Sequence, residues 1–219
     1  MIWLFIIVIT ATLIMTPVFL ILKYNKNTKA VYVKGTLTLI LLAAAIYVGL
    51  SGMWVKQELY PYLICAGLFL GFLGDVGLEV KFVYGIAAFL AGHLFYIAAF
   101  LYLGGFTWFS IVVFMVFFAI MFGVFKILKP EFGKMLVPVT AYTLIIGAML
   151  AVSVVMPFSA GKLSFTQINL IVIGSILFVI ADFLLAIYTF LKNKYPIRVV
   201  NIHIYYFAQI LLAASLYAW

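Results

Sequence analysis

Residues 71–80 read GFLGDVGLEV, and they sit inside a run of leucine, phenylalanine and glycine that has the length and character of a membrane span. An Asp held charged at the centre of a spanning helix costs about 2.5–3.5 kcal/mol on insertion scales. Asp75, with Glu79 one turn later, therefore needs a reason to be there. The rest of the chain supplies the background: 69% of its residues are hydrophobic, 8% are charged, and the mean hydropathy is +1.35. Those values lie far outside the soluble globular range. The sequence is that of an all-α integral membrane protein organised as one domain over residues 1–219. The single Cys65 excludes an intramolecular disulfide.

Working outward from Asp75, apolar stretches of roughly 18–24 residues alternate with short polar breaks, each long enough to span a bilayer. They predict eight transmembrane helices near residues 1–22, 34–54, 60–80, 82–103, 106–125, 135–156, 167–191 and 199–219. Pro61, Pro130 and Pro196 fall in or beside breaks, whereas Pro17 and Pro138 lie within spans. The net charge of +8 is distributed by loop. Lys23, Lys26, Lys29, Lys34, Lys81, Lys126, Lys129, Lys134, Lys192, Lys194 and Arg198 fall at one end of the bundle, and only Lys56 and Lys162 at the other. This positive-inside bias predicts both termini outside, in the cell membrane. It also assigns the basic residues to topology and anionic lipid headgroups, not to nucleic acid.

Against this apolar background the polar residues within spans stand out. Asp75 and Asp182 are intramembrane carboxyls, a class that usually faces a cavity or an ion path. His93, Tyr96, Tyr142, Tyr205, Tyr206, Asn169 and Gln209 add hydrogen-bonding groups, and His203 lies in the last span. Other features have plainer readings. Glu79, at a helix end beside Lys81, reads as an interfacial charge, and Tyr102, Tyr188 and Tyr195 as members of an aromatic belt. The glycines at 67, 71, 74 and 77 read as contacts for close helix packing. A faint internal echo aligns LFLGFLGDVGLEV (68–80) with SILFVIADFLLAI (175–187), each followed on the next helix by His-x-x-Tyr. Such an echo predicts a parallel 4+4 pseudo-repeat with two carboxyls facing across its axis.

These segments resemble a known family. LGDVGLEV (73–80) with GIAAFLAGHLFYIAAFL (85–101) is similar to the GD-x-x-L and F-x-x-GH-x-x-Y segments of the YhhN family. LVPVTAYTLIIGAML (136–150), GSILFVIADFLLA (174–186) and YYFAQILLAAS (205–215) follow that family's order along nearly the whole chain. Two departures are visible. Ala181 precedes Asp182 where the pattern usually has Ser, and Gly35 follows Lys34 where the family has Pro.

The resemblance implies a lysoplasmalogenase-like hydrolase, which cleaves the vinyl-ether bond of a lysophospholipid to a fatty aldehyde and a glycerophospho-headgroup. Vinyl-ether cleavage requires proton delivery to the β-carbon, stabilisation of the resulting oxocarbenium ion, and attack by water. Two carboxyl groups suit that division of labour, as in glycosidases. Asp75 and Asp182 are the expected pair, with neither assigned as the acid. His93, Tyr96, Tyr142, Tyr206 and Gln209 are expected to orient or bind substrate and water, and Lys34 to contact the phosphate at the inner face. This chemistry needs no cofactor. The sequence has no G-x-S-x-G elbow and no local spacing of a zinc site. The rival reading is a proton-coupled transporter that uses the same aspartates.

Overall fold

The computed structural model describes residues 2–56, 59–160, 163–191 and 195–217. Lys162, Lys192 and Lys194 lie outside the described residues, as do the extreme ends of the first and last predicted spans. Eight long helices account for nearly everything else. They are α1 (Ile2–Tyr24), α2 (Ala30–Lys56), α3 (Tyr60–Val80), α4 (Phe82–Gly104), α5 (Trp108–Leu128), α6 (Leu136–Ser159), α7 (Phe165–Phe190) and α8 (Tyr195–Ala214). Each is long and apolar enough to cross a membrane.

The helix ends follow local chemistry. Lys81 alone, in extended backbone, separates α3 from α4. So short a corner demands bare backbone on both sides, and a Cβ on Gly77 would stand 2.8 Å from the Gly85 nitrogen. Ser164 caps α7 by accepting from the Gln167 amide at 3.1 Å. After α4 the chain turns at Gly105, whose φ of 69° suits glycine.

Two boundaries differ from the sequence reading in ways that matter for the site. The second helix begins at Ala30, so Lys34 is a helical residue and not part of a loop. The eighth begins at Tyr195, because Pro196 needs no amide partner in a first turn. Arg198 is thereby brought into the helix. The sixth helix also runs through Pro157 to Ser159.

Packing joins chain neighbours: α1 to α2, α2 to α3, α3 to α4, then α5 to α6, α6 to α7 and α7 to α8. Contacts of α4 with α6 and of α8 with α1, α2 and α3 close the bundle. Helix α5 leans on α6 and turns most of its surface outward. The internal echo does not extend to the histidines, since His93 is buried while His203 is exposed on the outer face of α8. The glycine stripe on α3 does admit its neighbours closely. Cβ atoms on Gly67 and Gly74 would fall within 2.3 Å of the Tyr96 ring and 2.7 Å of the Phe89 ring, respectively.

Candidate active site

Asp75 lies five residues before the end of α3, roughly 7 Å inside the bundle from the basic corner. It is 1% exposed, and three polar side chains converge on it. Lys34 Nζ is 2.9 Å from Oδ1, while Thr38 Oγ1 donates to Oδ2 at 2.7 Å and the Tyr205 hydroxyl at 2.9 Å. Gln209 Nε2 donates in turn to the Tyr205 oxygen at 2.6 Å, so the chain Gln209–Tyr205–Asp75 is polarised toward the carboxylate. Helical spacing arranges these partners. Lys34 and Thr38 are four apart on α2, and Tyr205 and Gln209 four apart on α8, so each pair shares a face.

Asp182, on α7, has different surroundings. It is half-buried, and its one hydrogen bond among the described residues is from the Tyr142 hydroxyl to Oδ2 at 2.5 Å. On one side it borders an apolar crevice between α4, α5, α6 and α7, walled by residues such as Ile86, Phe117, Met121, Ile146, Val179 and Phe183. On the other side Asp182 lines a cavity no roomier than a single water, whose wall also includes Asp75, Lys34, Arg198, Asn201 and Tyr205. Leu78, Phe89, Asp182 and Leu185 border both spaces. The two carboxyls, from α3 and α7, thus line one small cavity beside the apolar crevice.

The remaining residues singled out in the sequence fall into two groups. His93 packs edge-on against Tyr142 at 5.4 Å and Phe178 at 4.8 Å between ring centroids. Its Nδ1–H donates to the Phe89 carbonyl at 2.6 Å, which leaves Nε2 as a buried acceptor with no hydrogen-bond partner among the described residues. Tyr96 is buried beside His93, and Tyr206 beside Tyr205. The Tyr96 hydroxyl and the Gln209 Oε1 are likewise buried with no hydrogen-bond partner among the described residues. Tyr142 and Gln209 are tied to the acids; His93, Tyr96 and Tyr206 back the site without touching either carboxyl.

Two expectations require correction. Lys34 is not a phosphate contact at the inner face: it is 1% exposed and serves as the counterion of Asp75, because starting α2 at Ala30 draws it inside. Tyr205, one residue before Tyr206 on α8, is the tyrosine that donates to Asp75. Glu79 is no surface charge beside Lys81. Its side chain is 5% exposed and is gripped by Lys23, by Arg198 at 3.4 Å and by Lys34 at 3.9 Å, whereas Lys81 sits over the Tyr84 ring. Tyr188, read as a belt residue, has its ring 5.5 Å from the Arg198 guanidinium carbon.

Sequence reasoning did not single out Thr38, Arg198 or Asn201 as site residues. A signal was present for two of them. Arg198, Asn201, Tyr205 and Gln209 recur at intervals of three and four, the spacing of one helical face. On that face Arg198 Nη1 donates to Asn201 Oδ1 at 3.2 Å, and Asn201 Nδ2 donates to the Ala181 carbonyl at 2.6 Å. The second link fastens α8 to α7 immediately before Asp182, at the position where the family pattern usually has Ser.

The family model described as the YhhN family matches residues 29–216. The mouse (Mus musculus) protein lysoplasmalogenase TMEM86B is 33% identical over 193 residues, covering 82% of this chain and 70% of the mouse protein. No solved structure matches. The chain belongs to the YhhN family.

Proposed function

We propose that this YhhN-family protein hydrolyses the vinyl-ether bond of lysoplasmalogens, with Asp182 as proton donor and Asp75 as the carboxylate that steadies positive charge and activates water. The observation that carries this reading is that two carboxyls from different helices line one small cavity beside an apolar crevice. Similarity to the mouse lysoplasmalogenase supports the substrate class.

The contrasting environments support the division of roles. A carboxylate paired with an ammonium and accepting from a threonine and a tyrosine serves as an acceptor. Asp182 has one donor, Tyr142 on Oδ2, which leaves Oδ1 to carry a transferable proton. Paired carboxyls in unlike surroundings are the usual means by which one site supplies both an acid and a base.

The reaction then balances as follows. With the alkenyl chain in the apolar crevice, Asp182 delivers its proton to the β-carbon of the double bond, and the ether carbon becomes an oxocarbenium ion facing Asp75. Water adds to that carbon and loses a proton to Asp75, giving a hemiacetal. The hemiacetal hydroxyl returns a proton to Asp182 as the C–O bond to glycerol breaks, and Asp75 protonates the departing oxygen. One water is consumed and both aspartates regain their starting states.

A substrate panel tests the reading. Purified protein in detergent is expected to release aldehyde from a 1-alkenyl lysophospholipid and to leave the 1-alkyl ether and the 1-acyl ester of the same headgroup intact. Only the alkenyl compound has a carbon that accepts a proton to form an oxocarbenium ion. Ester cleavage at a comparable rate would indicate carbonyl chemistry, and absence of aldehyde would favour a carrier.

A further inference from the structure

A second opening lies at the basic end of the bundle, beside the carboxyl cavity. Lys23, Glu79, Phe82, Tyr188, Thr189 and Arg198 line this vestibule. It shares Leu78, Leu185 and Arg198 with the cavity, so the two spaces adjoin.

Arg198 is the residue that suggests an occupant. Its side chain is 6% exposed, yet its donors are only partly used. The Nη1 group donates to Asn201. The Nη2 contact with Glu79 is 3.4 Å, long beside the ~2.7–2.9 Å of a strong charge-assisted bond. Buried Nε makes no hydrogen bond among the described residues. A guanidinium presents five donors in a planar fork that matches phosphate oxygens, and the nearby Tyr188 ring restrains this one.

Charge points the same way. Lys23, Lys34 and Arg198 surround only Asp75 and Glu79. The cluster is left with one positive charge in excess, which a phosphodiester monoanion would neutralise. Glu79 does not forbid an anion, because both of its oxygens already face cations.

We infer that this vestibule is the phosphate subsite, with Arg198 as its principal ligand and Lys23 as an auxiliary one. The inference rests on the lysolipid reading above and takes over the role that the sequence assigned to Lys34. It completes a path for the substrate. Phosphate sits on Arg198, and the short glycerol backbone points past Leu78 and Leu185, which line the vestibule, the aspartate cavity and the apolar crevice alike.

The test is a ratio: kcat/KM for a 1-alkenyl lysophospholipid over that for 1-alkenylglycerol, which lacks phosphate. Arg198→Gln is expected to lower this ratio about 50-fold, the loss falling mainly in KM, as for removal of a charged hydrogen-bonding group. Arg198→Lys should be intermediate, because an ammonium keeps the charge without the fork. Lys23→Gln, on a half-exposed residue, should lower the ratio about threefold. An unchanged ratio in Arg198→Gln overturns the subsite even when both rates fall. If that variant does not fold, unchanged ratios in Arg198→Lys and Lys23→Gln do the same.

Binding separates this result from the fate of the hydrolase reading. Wild-type protein should bind a non-cleavable 1-alkyl lysophospholipid more tightly than 1-alkylglycerol, and an Arg198 variant should lose that difference, whether or not aldehyde is ever released. Equal binding of the two by wild type overturns the inference. Binding of inorganic phosphate as tight as that of the alkyl lysophospholipid also overturns it, since the site would then serve a free anion.

Discussion

Asp182→Asn is expected to reduce aldehyde release about 1,000-fold while leaving the folded protein and its affinity for a non-cleavable alkyl lysolipid nearly unchanged. Proton transfer by a positioned acid contributes roughly 10²–10⁴ in rate, and an amide in place of the carboxyl has no proton of suitable acidity. Binding should survive because Asp182 supplies only one polar atom pair to a predominantly apolar crevice. Asp75→Asn should fall nearly as far, and the double variant little further, since groups that act as a unit are not additive. Single-turnover rates and lysolipid affinity, measured on the three variants in one detergent, check this. A variant in which kcat is intact and KM rises would make the residue a binding group.

Lys34→Met is expected to be the most destabilising single substitution in the site. It removes the ammonium 2.9 Å from Asp75 and leaves a carboxylate without its counterion at a position 1% exposed to solvent. Breaking one side of a buried ion pair costs about 3–5 kcal/mol, which corresponds to a fall in Tm on the order of 10 °C for a chain of this size. Adding Asp75→Asn to Lys34→Met should recover most of that stability, because the uncompensated charge is gone, but none of the activity. Thermal unfolding of the two single variants and the double variant gives the coupling directly. Additive losses would mean that the pair is not the unit described.

The contrast between these two aspartates explains how much of the site was legible in the sequence. Asp75 and Asp182 are conspicuous because a carboxyl in a run of leucine and phenylalanine has few innocent explanations. Tyr142 and Gln209 followed from the same reasoning, as polar groups inside spans. The eight helices followed from hydropathy, since in lipid a chain satisfies its backbone within each segment and span length is fixed by the bilayer.

What the sequence concealed was which cations face inward. Lys34 and Arg198 lie near helix ends, where lysine and arginine ordinarily meet headgroups, and they were counted with the topological charges. Their burial depends on α2 and α8 each beginning about one turn earlier than hydropathy suggests. That shift converts a loop lysine into the counterion of an acid. Glu79 was misread for the same reason. Its partners come from α1, α2 and α8, at sequence separations of 56, 45 and 119 residues, whereas Lys81 is a neighbour in sequence only. The choice between Tyr205 and Tyr206 turned on helix rotation, which a single span cannot fix without its packing partners.

The central claim is that a carboxyl of this protein protonates the β-carbon of a vinyl ether. The most direct measurement is to run the reaction in D₂O, reduce the aldehyde to its alcohol as it forms, and weigh the product. The account predicts one deuterium on the carbon adjacent to the former carbonyl, appearing with wild-type protein and about 1,000-fold more slowly with Asp182→Asn. Aldehyde without deuterium at that carbon, or no aldehyde at all, would contradict it.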